Sequence, residues 1–226
     1  MRLAIVIPVL NEEQSLLENL RAATEIADLT VVVDGGSVDR SVEIARQSGA
    51  RVTSSTPGRG TQLNAGAAIA LEEKADTLLF LHADTRLPVG ARDLIVAAIK
   101  GGAAGGGFRV SFDDPGRLFL LGASIVNLRT RAFRAPLGDQ AQFLTAKVFR
   151  ELEGFRDWPI LEDLDLIRRL KRSHQIEILA APVTTAARRF NKHGLLRTIA
   201  TNWLIWLLYF MGVEPRRLAK LYRHIR

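Results

Sequence analysis

The chain has 226 residues, 47% of them hydrophobic, no cysteine, and a formal net charge of +7. That length allows one complete α/β domain or two small ones, and the lack of cysteine excludes both a disulfide framework and a thiolate metal site. Any metal must sit on carboxylates or histidine, and the excess of cations favours anionic partners: nucleotide phosphates, lipid head groups or nucleic acid.

The opening MRLAIVIPVLNEE has an apolar run too short for a secretory signal, and Glu12 and Glu13 flank it wrongly, so a cytoplasmic protein is expected. LAIVIPV reads as a first strand and Glu13 to Ala27 as an amphipathic helix. TVVVD, a helix from Ser41 to Gln47, the strand RVTS, a helix through Asn64 to Lys74 and the strand TLLFLHAD follow. This alternation predicts a parallel sheet covered by helices, and near-continuous apolar strands such as VVV and LLFL suit burial on both faces. Gly101 to Gly107 holds five glycines in seven residues and predicts a flexible turn feeding the strand FRVSF, with a further turn at Asp114-Pro115-Gly116. Leu118 to Arg134 reads as a helix with a basic end at Arg129, Arg131 and Arg134. No internal repeat or dividing linker is visible.

Ligands of open α/β sheets gather beyond the carboxyl ends of the strands, where helix N-termini and loop amides point. Three polar motifs fall at such ends: Asn11-Glu12, Asp34-Gly35-Gly36-Ser37 and His82-Ala83-Asp84. Asp84 suits a hard divalent cation bridged to a diphosphate; it equally suits a cap for the helix that follows. In LEDLDL, followed by RRLKR, acids open a helix and bases close it, which the helix dipole alone explains. One of those acids is also a candidate general base, although Asp163 and Asp165, two apart, cannot both face one pocket. Arg188 and Arg189, after the strand-like VTTAA, suit either a diphosphate contact or a solvated charge run.

From Thr198 to Val213 sixteen residues carry no charge, fewer than the roughly 20 a spanning helix needs. Arg216, Arg217, Lys220, Arg223 and Arg226 follow. Apolar aromatics beside a basic helix fit peripheral docking on an anionic membrane through 198–226; a core helix or a dimer interface is the plainer reading. No helix-turn-helix, zinc-finger or RNA-recognition signature accompanies the charge, so no nucleic-acid partner is expected.

The ordered strings IVIPVLNEE, VVVDGGSVDRS, GRGTQLNAG, LLFLHADT, GDQAQFL and LEDLDL resemble family 2 glycosyltransferases over residues 1 to about 170. They are most similar to a small bacterial group described as arsenosugar-biosynthesis glycosyltransferases. The resemblance implies a GT-A fold, an α/β, Rossmann-like, open and mostly parallel sheet flanked by helices over residues 1–190. An amphipathic, basic C-terminal helical extension over 191–226 would follow. It implies inverting transfer from a nucleoside-diphosphate-sugar to an acceptor hydroxyl, with Mn²⁺ or Mg²⁺. Pro8, Val9 and Glu12 would meet the nucleoside, and Asp34 stands in the acidic motif. Gly35 replaces a second acid that often reads the base in relatives. Arg59, Gln62 and Asn64 match the loop and helix bordering the donor. Asp84, beside Ala83, matches the metal-binding acid, whereas His82 replaces its companion; imidazole can ligate Mn²⁺ or hydrogen-bond a ribose hydroxyl. Asp163 matches the usual base, with Glu162 as the alternative, and Asp139 and Gln140 match a turn on the acceptor side.

Two rivals fit less well. A sugar-1-phosphate nucleotidyltransferase resembles its kin by a glycine-rich basic loop after the first strand, where this chain reads PVLNEE, and a dehydrogenase needs GxGxxG at the first helix. A noncatalytic sugar-nucleotide-binding or membrane-scaffold protein of the same fold would keep Asp84 and the donor loop without needing Asp163.

Overall fold

A computed structural model describes residues 1–188 and 194–223. Its first half alternates as the sequence predicts: β1 (Leu3–Val9), α1 (Glu13–Ile26), β2 (Leu29–Asp34), α2 (Ser41–Gln47), β3 (Arg51–Ser54), α3 (Arg59–Glu72) and β4 (Thr77–Phe80). Then come β5 (Thr85–Arg86), α4 (Ala91–Lys100), β6 (Gly105–Phe112), α5 (Arg117–Phe133), a 3-10 turn at Gly138–Gln140, β7 (Phe143–Thr145) and α6 (Ala146–Glu151). The chain closes with α7 (Glu162–Ser173), β8 (Ile176–Thr185), α8 (Leu195–Phe210) and α9 (Pro215–Arg223).

The strands form one open sheet in the order β3-β2-β1-β4-β7-β6-β8-β5. Pairings within β3-β2-β1-β4 and between β6 and β8 are parallel. The short β7 runs antiparallel to both neighbours, and β5 is antiparallel to β8. The period of two along β1 explains the layering: Leu3, Ile5, Ile7 and Val9 face α1 and α4, while Ala4 and Val6 face α3 and α7. Gly66 lets α3 lie close to the sheet, since a Cβ there would collide with Val6 and stand 2.8 Å from Val33 Cγ2.

The glycine run departs from expectation. Gly101 and Gly102 do turn, but Gly105, Gly106 and Gly107 belong to β6. A Cβ on Gly106 would strike the Glu177 carbonyl of β8, and one on Gly105 would lie 2.5 Å from the Phe143 carbonyl, so these glycines permit close backbone approach. The strand expected through Asp84 ends at Phe80, which leaves His82 to Asp84 in a loop. VTTAA is the tail of a longer strand, with Ala186 and Ala187 outside it.

The C-terminal helices pack back on the domain. Ile205, Trp206, Leu218 and Ala219 are buried, the Trp206 ring lies 6.0 Å from Phe133, and Arg168 donates to the Tyr209 hydroxyl at 2.8 Å. Among the described residues no helix is long and apolar enough to cross a membrane.

Candidate active site

The reversal of β7 builds the site. An antiparallel strand beside β4 starts where β4 ends, so the segment leading into Phe143 lies against the residues that follow Phe80. Phe80 N donates to the Gln142 carbonyl at 2.8 Å. The buried Gln142 amide donates to the Pro136 and Asp163 carbonyls at 2.8 and 3.1 Å, tying the turn to the start of α7.

Asp163 is fixed through both oxygens: Oδ2 accepts from Gly138 N at 2.7 Å and Oδ1 from Leu164 N at 2.7 Å. A Cβ on Gly138 would stand 2.8 Å from His82 Nε2 and 3.1 Å from Asp163 Oδ2. Glycine here therefore leaves room for both the imidazole and the carboxylate beside this turn. Asp165 points elsewhere, to Arg169 at 2.7 Å and Arg156 at 3.3 Å, as the spacing requires.

Glu162 is 2% exposed, and Arg59 Nη1 at the start of α3 approaches its carboxylate to 3.6 Å. Burial works against the Arg59 charge, but Glu162, then Asp163, Tyr222 and Asp84, outweigh it and raise its pKa. Arg59 thus has favourable electrostatic interactions with both candidate bases, with Asp84 and with Tyr222 of α9. Asp84 is no helix cap, because α4 starts at Ala91 behind Gly90. Its carboxyl is pushed up, first by burial and then by Glu12, with Arg188 and Arg59 opposing. Glu12 accepts from Arg188 Nη2 at 3.0 Å and from Ser15 Oγ at 3.0 Å. Arg189 lies outside the described residues.

Several expected donor-side residues hold the scaffold. Asp34 accepts from Gly36 N and Ser37 N at 3.1 and 3.0 Å, shaping its own loop. The buried Gln62 amide donates to the carbonyls of Val9 and Val33 at 3.0 and 2.9 Å, clamping the ends of β1 and β2. Gly35 N also reaches the Val9 carbonyl, at 2.9 Å, beyond Pro8. A Cβ on Gly35 would meet Gln62 Nε2 at 3.0 Å, so the amide fills the room beside the second position of the motif. Asn64 uses both ends of its amide on Phe155, at 2.8 and 2.9 Å. Ala83 is buried and its carbonyl accepts from Asn19 Nδ2 at 2.8 Å.

On the far side, Gln140 is fully buried and corrects the expectation that its side chain faces an acceptor. Its amide donates to the Phe108 carbonyl at 2.9 Å and accepts from Thr130 Oγ1 at 2.8 Å and Leu137 N at 3.1 Å. Its neighbour Asp139 lies in the same 3-10 turn. Burial raises the Asp139 carboxyl above its ordinary range; Arg129 opposes that and Asp163 adds to it. Arg129, unremarked in the sequence beyond its helix end, lies between Gln140 Oε1 at 3.3 Å and the Trp206 ring at 4.9 Å. Contacts of such long sequence separation leave no local signal.

Among the described residues no group of three or more His, Asp or Glu could hold a metal by itself.

Solved structures share the fold. Glucosyl-3-phosphoglycerate synthase from Mycobacterium tuberculosis, in complex with Mn²⁺, uridine diphosphate and phosphoglyceric acid, is similar at 21% identity and a TM-score of 0.63, covering 94% of this chain and 79% of that one. TarS 1-349 from S. aureus is similar at 16% identity and a TM-score of 0.60, covering 88% of this chain and 64% of that one. No curated protein matches the sequence. The family profile Glycosyl transferase family 2 matches residues 4–151, and with the open sheet and strand-end acids described above it establishes that the chain belongs to glycosyl transferase family 2.

Proposed function

We propose that the protein moves a sugar from a nucleoside-diphosphate-sugar to an acceptor hydroxyl by one inverting displacement, with Asp163 as the base. The observation that carries this reading is the convergence of Asp163 and His82 on Gly138, with Arg59 set among Glu162, Asp163 and Asp84. Asp163 takes the proton of the acceptor hydroxyl, whose oxygen bonds to the anomeric carbon. The bond from that carbon to the diphosphate breaks, and the diphosphate leaves with the electron pair. Backbone amides on both oxygens hold Asp163 in one orientation, and each oxygen keeps a further lone pair with which to take the proton. Glu162, committed to Arg59, is the alternative base.

Arg59 and Arg188 stabilise the departing diphosphate electrostatically. Asp84, with His82, would hold Mn²⁺ or Mg²⁺ against it. The residues fit such an ion, because burial and Glu12 already disfavour the Asp84 charge and a dication relieves both. That ion, when bound, supplies charge neutralisation on the leaving group. Complexes of similar folds with uridine diphosphate and its glucose and N-acetylglucosamine conjugates make uridine the first base to test. The finer likeness to the arsenosugar-associated group rests on GRGTQLNAG and HADT. We assign the catalytic domain to 1–190 and the extension to 191–226, in a cytoplasmic protein that meets a membrane peripherally through 198–226 and has no nucleic-acid partner.

Asp163→Asn tests the base: turnover should fall by about 10²–10⁴, while calorimetric affinity for uridine diphosphate with Mn²⁺ stays unchanged. Full turnover in that variant refutes the assignment. Failure of the folded protein to bind uridine, guanosine or thymidine diphosphate, with or without Mn²⁺, would favour the noncatalytic scaffold.

A further inference from the structure

We infer that α5, a helix from the middle of the chain, joins α8 and α9 in one docking face for an anionic phospholipid surface. The inference deepens the peripheral contact proposed for 198–226 and rests on it.

The first observation is apolar exposure. Of the 16 large hydrophobic side chains exposed among the described residues, eleven lie on α5, on α8 and α9, or at Met211 between the latter two. Single exposed leucines need no explanation, but concentration on three helices does. On α5, Leu121 and Leu128 are 55% and 69% exposed and stand seven residues apart, two turns along one face. On α8, Trp203, Leu207 and Phe210 repeat at spacings of four and three, again one face. The two faces adjoin, because Ile125 and Val126 of α5 and Ile199 and Trp203 of α8 line a common groove.

The second observation is charge. Helices α5, α8 and α9 with the link between the last two hold eight of the 31 Lys and Arg residues and one of the 24 acids, Glu214. The rest of the chain therefore carries 23 cations and 23 acids, and the whole formal charge of +7 belongs to these three helices. Leu218 and Ala219 of α9 are buried, which turns Arg216, Arg217 and Lys220 outward; Arg117 and Arg131 are exposed on α5.

These features select the occupant. A second copy would bring another face of like charge, which opposes association. An anionic bilayer offers opposite charge at its surface and hydrocarbon beneath it, for apolar side chains flanked by cations. Since no described helix can cross a membrane, the face would lie along the surface.

The test is flotation of the full chain with vesicles of phosphatidylcholine, with and without phosphatidylglycerol. The wild type should float with the anionic vesicles alone, less so at high salt. Leu121→Glu/Leu128→Glu on α5 and, separately, Arg216→Glu/Arg217→Glu on α9 should each lower partitioning by about tenfold or more. Far-UV circular dichroism and urea midpoints should match the wild type, since all four side chains are exposed. If the α9 variant loses binding while the α5 variant keeps it, the C-terminal contact stands and the role of α5 falls. If the wild type ignores both vesicles, the peripheral contact itself is refuted. A dimer in solution, dissolved by the α5 substitutions and unaccompanied by vesicle binding, would overturn the lipid assignment.

Discussion

Replacing Gly35 by alanine tests how tightly the loop after β2 is packed. The new Cβ would stand 3.0, 3.1 and 3.2 Å from Nε2, Cδ and Oε1 of Gln62. The Gln62 amide cannot retreat freely, because Nε2 donates to two carbonyls at the ends of β1 and β2. Gly35 is not among the residues of positive φ, so its backbone accepts alanine, and a narrower unfolded ensemble contributes about 0.4–1 kcal/mol in favour of the variant. Overpacking in a filled site costs about 1–3 kcal/mol. Giving up the two hydrogen bonds instead costs about 1 kcal/mol each. The expected net loss is therefore about 1–2 kcal/mol, read as a lower urea midpoint at unchanged slope. With Gln62→Ala as background the same alanine meets no amide and should be neutral or mildly stabilising, giving a coupling energy near or above 1 kcal/mol. Additive substitutions, or a Gly35→Ala protein as stable as the wild type, would refute the claim that Gln62 fills that space.

Asp139 offers a pH signature. Burial, with Asp163 nearby, raises its carboxyl, so the group favours the fold only while protonated. Its contribution is complete below the ordinary aspartate value and is lost as pH rises through the raised one. Asp139→Asn, which stays neutral, should therefore gain on the wild type across that window and keep the advantage at neutral pH; urea midpoints at several pH values measure it, and a pH-independent difference contradicts it. Trp206→Ala removes a ring that is 6% exposed, meets Phe133 edge-on and covers Arg129. A loss of about 3–5 kcal/mol is expected in urea unfolding, and a loss below 1 kcal/mol would show that α8 is poorly docked.

The first half of the fold was legible because β1, β2 and α3 obey local rules. Leu3, Ile5, Ile7 and Val9 alternate with Ala4 and Val6, and acids stand at the strand ends where helix starts point. The second half hid its strands for physical reasons. Glycines that read as a turn serve close backbone contact in β6, and the three-residue β7 takes its place from both neighbours rather than from propensity. The candidate site divides in the same way. Asp84 and Asp163 stand out in the sequence as acids next to element ends, and the structure puts them in the loop after β4 and the first turn of α7. Gln62, Asn64 and Gln140 look alike as polar side chains near a ligand, yet each amide is spent on the chain itself, and composition does not separate those uses. Arg129 and Gln142 act across distant segments and became visible only in three dimensions.

The insertion of β7 also orders the birth of the molecule. Synthesis delivers β5 and β6 before the strand that must sit between β4 and β6, and the pairing of Leu79 with Phe143 spans more than sixty residues. A nascent chain that has just completed β6 therefore holds an unfinished sheet whose β4 edge, every residue of which ends up buried, has no neighbour on that side. Such an edge is a template for any other extended chain until the gap closes. Closing that gap needs only the three residues of β7, a pairing of long sequence separation, and the turn at Gly138 leads directly into them.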